Sequence, residues 1–152
     1  MKFSYQIIIS GVVQGVGFRP FIYNLANRLN IDGYVTNSSS GVLIELSADK
    51  KRVDEFILSI RELSPPLSNI DSIEIKRVTY KKRFEGFEIQ NSINQNLPTT
   101  KILSDISMCE KCQMELDDRS NRRFNYPFIN CTNCGVRYSI IKNLPYDRDQ
   151  TS

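Results

Sequence analysis

The segment Ser4-Tyr-Gln-Ile-Ile-Ile-Ser-Gly-Val-Val-Gln-Gly-Val-Gly-Phe-Arg-Pro20 decides the reading of the fold. Its first part, Ser4 to Val13, is rich in β-branched and aromatic side chains. Tyr5, Ile7 and Ile9 offer one face, with Val12 a further candidate, which predicts a strand. Gly11, Gly15 and Gly17 then form a glycine-rich turn ahead of Arg19-Pro20, and proline is favoured at the first position of a helix. From there Phe21, Ile22, Leu25, Ala26 and Leu29 recur at spacings of three and four, a helix with one buried stripe. A strand, a glycine-rich turn and a helix start can wrap successive backbone N–H groups around an anion, and the helix N-terminus adds about half a positive charge. Arg19 at the same end offers a planar, always charged fork matched to phosphate. Such glycines equally serve a bare tight bend, and Arg19 a solvated surface charge. The nucleotide fingerprints Gly-x-Gly-x-x-Gly and Gly-Lys-Ser/Thr are both absent.

Outward from this segment, Ile31 to Ser38 and Gly41 to Ser47 alternate like strands, and Ser39-Ser40 between them signals a hairpin. Val53, Phe56, Ile57, Ile60 and Leu63 mark a second amphipathic helix, stopped by Ser64-Pro65-Pro66. Ile73, Ile75 and Val78 indicate another strand, and Phe87 to Gln90 a short last one. The order is β-α-β-β-α-β, the split βαβ arrangement of an α+β, ferredoxin-like sandwich. Right-handed crossovers would place both helices on one face of a four-stranded antiparallel sheet. Asn91 to Thr100 lacks either periodicity and reads as a linker. The expected division is a domain over 1–91, a linker over 92–104 and a cysteine module over 105–152.

With 152 residues, 40% hydrophobic and 24% charged, the chain has the composition of a globular protein. The formal charge is +3 with no basic block, so composition makes no case for nucleic acid. No apolar run approaches the roughly 20 residues that span a bilayer, and the N-terminus enters a strand pattern rather than a signal-peptide core. A cytoplasmic protein is expected. Histidine is absent, which excludes Ser-His-Asp and Cys-His catalysis and any His-containing metal site.

Cys109-Glu-Lys-Cys112 and Cys131-Thr-Asn-Cys134 have the spacing of a zinc ribbon or treble-clef-like site. Four thiolates around one zinc ion leave no open position, so the expected site is structural and contributes about −2 in charge. Gly135 suits the knuckle that follows. A redox pair and a disulfide framework are the competing readings, less suited to two equally spaced pairs in a cytosolic chain. Ile102, Leu103, Ile106, Phe124, Phe128, Ile140 and Ile141 are too few for a large core, so metal binding should drive much of this segment's folding.

The stretch Gly11-Val-Val-Gln-Gly-Val-Gly-Phe-Arg19, followed by Gly33-Tyr-Val-Thr-Asn37 and Gly41, resembles the acylphosphatase family. That resemblance implies that the loop of Gln14, Gly15, Val16, Gly17, Phe18 and Arg19 holds the phosphate of an acyl phosphate while Asn37 orients the attacking water. On pattern alone, Asn37 is also a plausible hairpin-turn asparagine. With the spacer, the run Tyr126-Pro-Phe-Ile-Asn-Cys-Thr-Asn-Cys-Gly135, and the segments Arg137-Tyr-Ser-Ile-Ile and Leu144-Pro-Tyr-Asp-Arg148, essentially the whole chain resembles the N-terminal region of the HypF family of hydrogenase-maturation carbamoyltransferases. Val136 departs from the proline usual there. The resemblance implies hydrolysis of carbamoyl phosphate to carbamate. It also implies ATP-dependent transfer of the carbamoyl group to the C-terminal cysteine of a HypE-like acceptor, by domains that would lie beyond Ser152.

Two other classes fit parts of the pattern. A regulatory domain that only binds an acyl phosphate or another anion, with the zinc module as a docking surface, would use the same loop but would not need a water-orienting amide. An RNA-binding protein can share the β-α-β-β-α-β order. The strand Gly41-Val-Leu-Ile-Glu-Leu-Ser47, however, offers no aromatic platform for bases.

Overall fold

The computed structural model describes residues 2–79, 83–93, 107–129 and 131. Phe3–Val12 forms β1, with Tyr5, Ile7 and Ile9 buried, as strand alternation requires. Val13, which shares their parity, is fully buried, whereas Val12 only packs against the margin of the core. The helix α1 runs over Phe18–Arg28 with Gly17 as its N-cap, so Pro20 is its third residue rather than its first. That position tolerates proline because first-turn N–H groups have no partner within the helix. Phe18, Ile22, Leu25 and Ala26 are its buried residues, and Phe21 and Leu29 pack at the edge of the core.

Strands β2 (Asp32–Ser38) and β3 (Gly41–Ala48) form an antiparallel hairpin whose last register pair is Ser38↔Gly41, leaving Ser39 and Ser40 as the turn. Helix α2 spans Lys50–Leu63 and starts at Asp49, whose side chain accepts a hydrogen bond from Arg52 N at 3.0 Å. Val53, Phe56 and Ile60 are buried, but Leu63 is 51% exposed, so the apolar stripe stops before the helix does. Ser64 is extended, as a residue before proline prefers.

β4 (Asn69–Val78) pairs antiparallel with β1, and the three-residue β5 (Phe87–Ile89) pairs parallel with β2. The sheet is therefore five-stranded and mixed, in the order β4-β1-β3-β2-β5, instead of four-stranded and antiparallel. Three residues carry too little periodicity to reveal strand direction. The direction follows from topology: the connection after β4 crosses from one edge of the sheet to the other, and a parallel pairing needs such a crossover. Gly86 O accepts from Gly33 N at 2.8 Å and Gln90 N donates to Val35 O at 2.9 Å, extending the pairing at both ends of β5. Ile93 N donates to Asn37 O at 2.9 Å, so the chain stays attached to β2 as far as Ile93.

One cluster of buried side chains from β1, β2, β3, α1, α2 and β5 forms the main core. Among its members Phe18, Phe56, Ile7, Ile9, Ile22, Ile44 and Ile60 are almost fully enclosed, each contributing about 1.5–3 kcal/mol. After the spacer, α3 covers Glu110–Asp117 with Cys109 as N-cap. The described part of this module has only Cys112 and Ile129 buried, with Leu67, Met108, Cys109, Leu116 and Cys131 packed on them. Leu67, in the α2–β4 connection, borders both cores. Of the flanking apolar residues, Phe124 and Phe128 are exposed, and the buried anchor is Ile129. No helix among the described residues is long and apolar enough to cross a membrane.

Candidate active site and metal centre

Two segments that are distant in sequence meet at one end of the sheet. The first is the turn between β1 and α1. Gly15 and Gly17 both have φ 75°, which folds the chain back so that the first turn of α1 begins directly after the loop. Gly17 has no side chain to cap that turn, and no acidic residue lies in it, so the positive end of the helix dipole meets no carboxylate of its own turn. Val16 and Phe18 are buried in the core, so their side chains anchor the loop and only their backbone can serve an anion. Arg19, the second helical residue, is half-buried.

The second segment is the end of β2. Period two puts Asn37 on the same face as the core residue Val35, and Asn37 is 1% exposed. Its buried Oδ1 accepts no hydrogen bond among the described residues. The backbone around it is held from the β5 side: Ile93 N binds Asn37 O, and Thr36 Oγ1 donates to Asn91 O at 2.6 Å. From the other side comes Gln14. Its Nε2 donates to Ser38 O at 2.8 Å and to Gly41 O at 2.7 Å, joining the loop to both strands of the hairpin just beyond Asn37. Gln14 was legible in the sequence only as a member of the loop. No spacing signal relates it to Ser38 or Gly41, because those acceptors are backbone carbonyls brought near by the sheet.

The cysteine module gathers three of its four candidate ligands. The Sγ atoms of Cys109, Cys112 and Cys131 all lie within 4.8 Å of one another, and Cys109 Sγ and Cys131 Sγ are 3.6 Å apart. A tetrahedral ion with bonds of about 2.3 Å holds its ligands about 3.8 Å apart, so the donor set and its spacing fit zinc. A disulfide would need about 2.05 Å, which the 3.6 Å between Cys109 Sγ and Cys131 Sγ excludes for that pair. Cys134 and Gly135 lie outside the described residues. The first pair is positioned by α3: Cys109 caps its start and accepts at its carbonyl from Gln113 N at 2.9 Å, while Cys112, one turn in, points to Ile129 in the small core. Arg123 Nη1 is 2.6 Å from Glu115 Oε2. That carboxylate first, and then Cys112 and Cys131, raise the pKa of its guanidinium, so a fixed cation lies near the cysteine sulfurs. Asp118 is held below its ordinary value by hydrogen bonds from Ser120 Oγ and Ser120 N at 2.7 and 2.9 Å, which stiffens the turn after α3.

Comparison with known proteins assigns the two units separately. The acylphosphatase family model matches residues 5–89, and the HypF finger model matches residues 108–141. The probable carbamoyltransferase HypF of Methanocaldococcus jannaschii is 40% identical over 150 residues, which is 98% of this chain and 20% of that protein. An acylphosphatase of Caldivirga maquilingensis is 37% identical over 87 residues, covering 56% of this chain and 90% of that protein. A crystal structure of full-length HypF in the phosphate- and nucleotide-bound form matches 99% of this chain and 20% of that one with a TM-score of 0.91 and 45% identity. The chain thus spans about a fifth of the length of the HypF relatives it matches.

Proposed function

The chain belongs to the acylphosphatase family and corresponds to the N-terminal region of HypF proteins, and from that premise we propose that residues 1–91 hydrolyse a small acyl phosphate, carbamoyl phosphate to carbamate and phosphate. In this reading the backbone of Gln14, Gly15, Val16, Gly17 and Phe18 and the guanidinium of Arg19 hold the phosphoryl group at the start of α1. The Asn37 amide, which both donates and accepts, holds the attacking water in one orientation without titrating. An acyl phosphate is an activated mixed anhydride. Charge stabilisation and a positioned water therefore supply much of the acceleration, and a chain without histidine is adequate for it.

The observation that carries this reading is the junction made by Gln14, which brings the glycine-rich turn and the Asn37 end of β2 to the same end of the sheet. The same geometry favours turnover over plain anion binding, since a buried amide beside the loop has no evident use in capture alone. For the module over 105–152 we propose one structural zinc ion on Cys109, Cys112, Cys131 and Cys134. Reduced thiolates suit a cytoplasmic setting. In the longer protein, carbamate made here would serve ATP-dependent transfer of a carbamoyl group to a HypE-like acceptor in [NiFe] hydrogenase maturation.

The test is phosphate release from carbamoyl phosphate and acetyl phosphate by this chain and its Arg19→Ala and Asn37→Ala variants. Each substitution should lower the rate by on the order of 10²-fold or more. A zinc-loaded chain that binds phosphate yet releases none from either substrate would be an anion-binding regulatory domain instead. Elemental analysis of protein purified without chelator should give about one zinc per chain, and a ratio near zero refutes the metal assignment.

A further inference from the structure

We infer that the side chain of Gln14 is a positioning residue, a strut that sets where Asn37 stands relative to the phosphate loop; this rests on the hydrolase reading above. A primary amide nitrogen has two hydrogens to donate, and Gln14 Nε2 has two acceptors, Ser38 O at 2.8 Å and Gly41 O at 2.7 Å. Those carbonyls belong to the pair that closes the β2–β3 hairpin, and Ser38 directly follows Asn37. Gln14 itself is 5% exposed, so its nitrogen is committed to the hairpin and is not a ligand for phosphate.

The reaction needs two things at once: an anion held by the turn after β1, and a water held by Asn37. The two belong to different parts of the chain, and their separation depends on what ties the turn to the hairpin. Ile93 N fixes Asn37 O from the β5 side, and Gln14 Nε2 ties the hairpin to the turn from the loop side. Misplacement of reacting groups by about an ångström can cost on the order of 10²-fold in rate. Loss of the strut should therefore weaken turnover while leaving the loop amides and Arg19 able to hold phosphate.

Two variants of the full zinc-loaded chain separate this role from simple support of the fold. Gln14→Met keeps the length and removes both donors. Its kcat for carbamoyl phosphate should fall about tenfold or more, while inhibition by inorganic phosphate stays within about threefold of the parent. Gln14→Glu keeps the shape and makes the strut titrate. Protonated, it donates one hydrogen bond; ionised, it sets a carboxylate against two carbonyl oxygens, which raises its pKa above the usual value near 4.3. Its kcat relative to the parent should be highest in acid and fall as the pH rises past about 5. A Gln14→Met kcat within about twofold of the parent overturns the inference, as does an equal loss of turnover and phosphate inhibition, which would mean loop collapse. If Gln14→Met does not fold, the Gln14→Glu profile decides: a ratio to the parent that is flat with pH overturns it. An inert parent chain overturns the hydrolase reading and this role with it, whereas an active parent with indifferent variants overturns this role alone.

Discussion

Replacing Gly41 by alanine tests whether the hairpin that carries Asn37 is held by backbone contact with β1. A Cβ at Gly41 would lie 2.1 Å from Ile9 O and 3.1 Å from Ile9 C. The first contact is nearly an ångström short of the 3.0 Å below which real Cβ contacts essentially never fall. Both atoms are backbone of the strand next to β3 in the interior of the sheet, so no flexible side chain can give way and β1 and β3 must part. The residue also has φ +137°, a conformation costly to alanine by about 1–2 kcal/mol. Overpacking adds about 1–3 kcal/mol, and displacement of Gly41 O strains its bond to Gln14. We expect Gly41→Ala to lose about 2–5 kcal/mol, which for a domain of this size lowers the melting temperature by about 8 °C or more. The control is Gly86→Ala. Its φ is +81° but nothing lies within 4 Å of the added carbon, so only the backbone term remains, partly offset by a less flexible unfolded chain, for about 1 kcal/mol in all. Thermal and urea unfolding of the zinc-loaded chain measures both. Equal losses for the two variants, or a Gly41→Ala midpoint within about 2 °C of the parent, would refute the steric argument.

Chelation should act on one unit only. With Cys112 and Ile129 as the sole buried residues of its described part, the cysteine module is expected to lose its ordered amide signals when zinc is removed, whereas those of the five-stranded sheet persist; simultaneous loss of both sets would contradict the separate cores. Phe56→Ala should cost about 3–5 kcal/mol by denaturant unfolding, because Phe56 is fully buried under the sheet. Asp49 accepts from Arg52 N, and that bond holds its pKa below the ordinary 3.8. Its contribution to α2 is accordingly present above pH 3.8 and lost as the pH falls through the lower, folded-state value. Asp49→Ala should be less stable than the parent at neutral pH, with the difference vanishing in strong acid; a gap unchanged by acid would contradict the capping role. Leu67→Ser should reduce the stability of the sheet domain and the zinc retention of the module together, because Leu67 packs on both cores, and an effect confined to one unit would show that this packing does not couple them.

Much of the molecule was legible in the chain because its signals are local. Alternation at Tyr5, Ile7 and Ile9, the three-and-four spacing of Ile22, Leu25 and Ala26, and the Ser39-Ser40 break each depend on residues within one element, and so predict strands, helices and a hairpin. The glycine-rich turn before Arg19 and the paired cysteines are equally local, and they pointed to an anion loop and a metal module. Tertiary structure decided what depends on distant partners. A strand of three residues has no period from which to read its direction, so β5 became parallel to β2 only through the crossing from β4. Pairing of Gln14 with Ser38 O and Gly41 O involves carbonyls that every residue possesses, so no side-chain pattern announces it. Asn37 reads locally as a turn residue; it is buried beside the loop because sheet pairing, set by contacts far apart in sequence, carries the end of β2 to the start of α1.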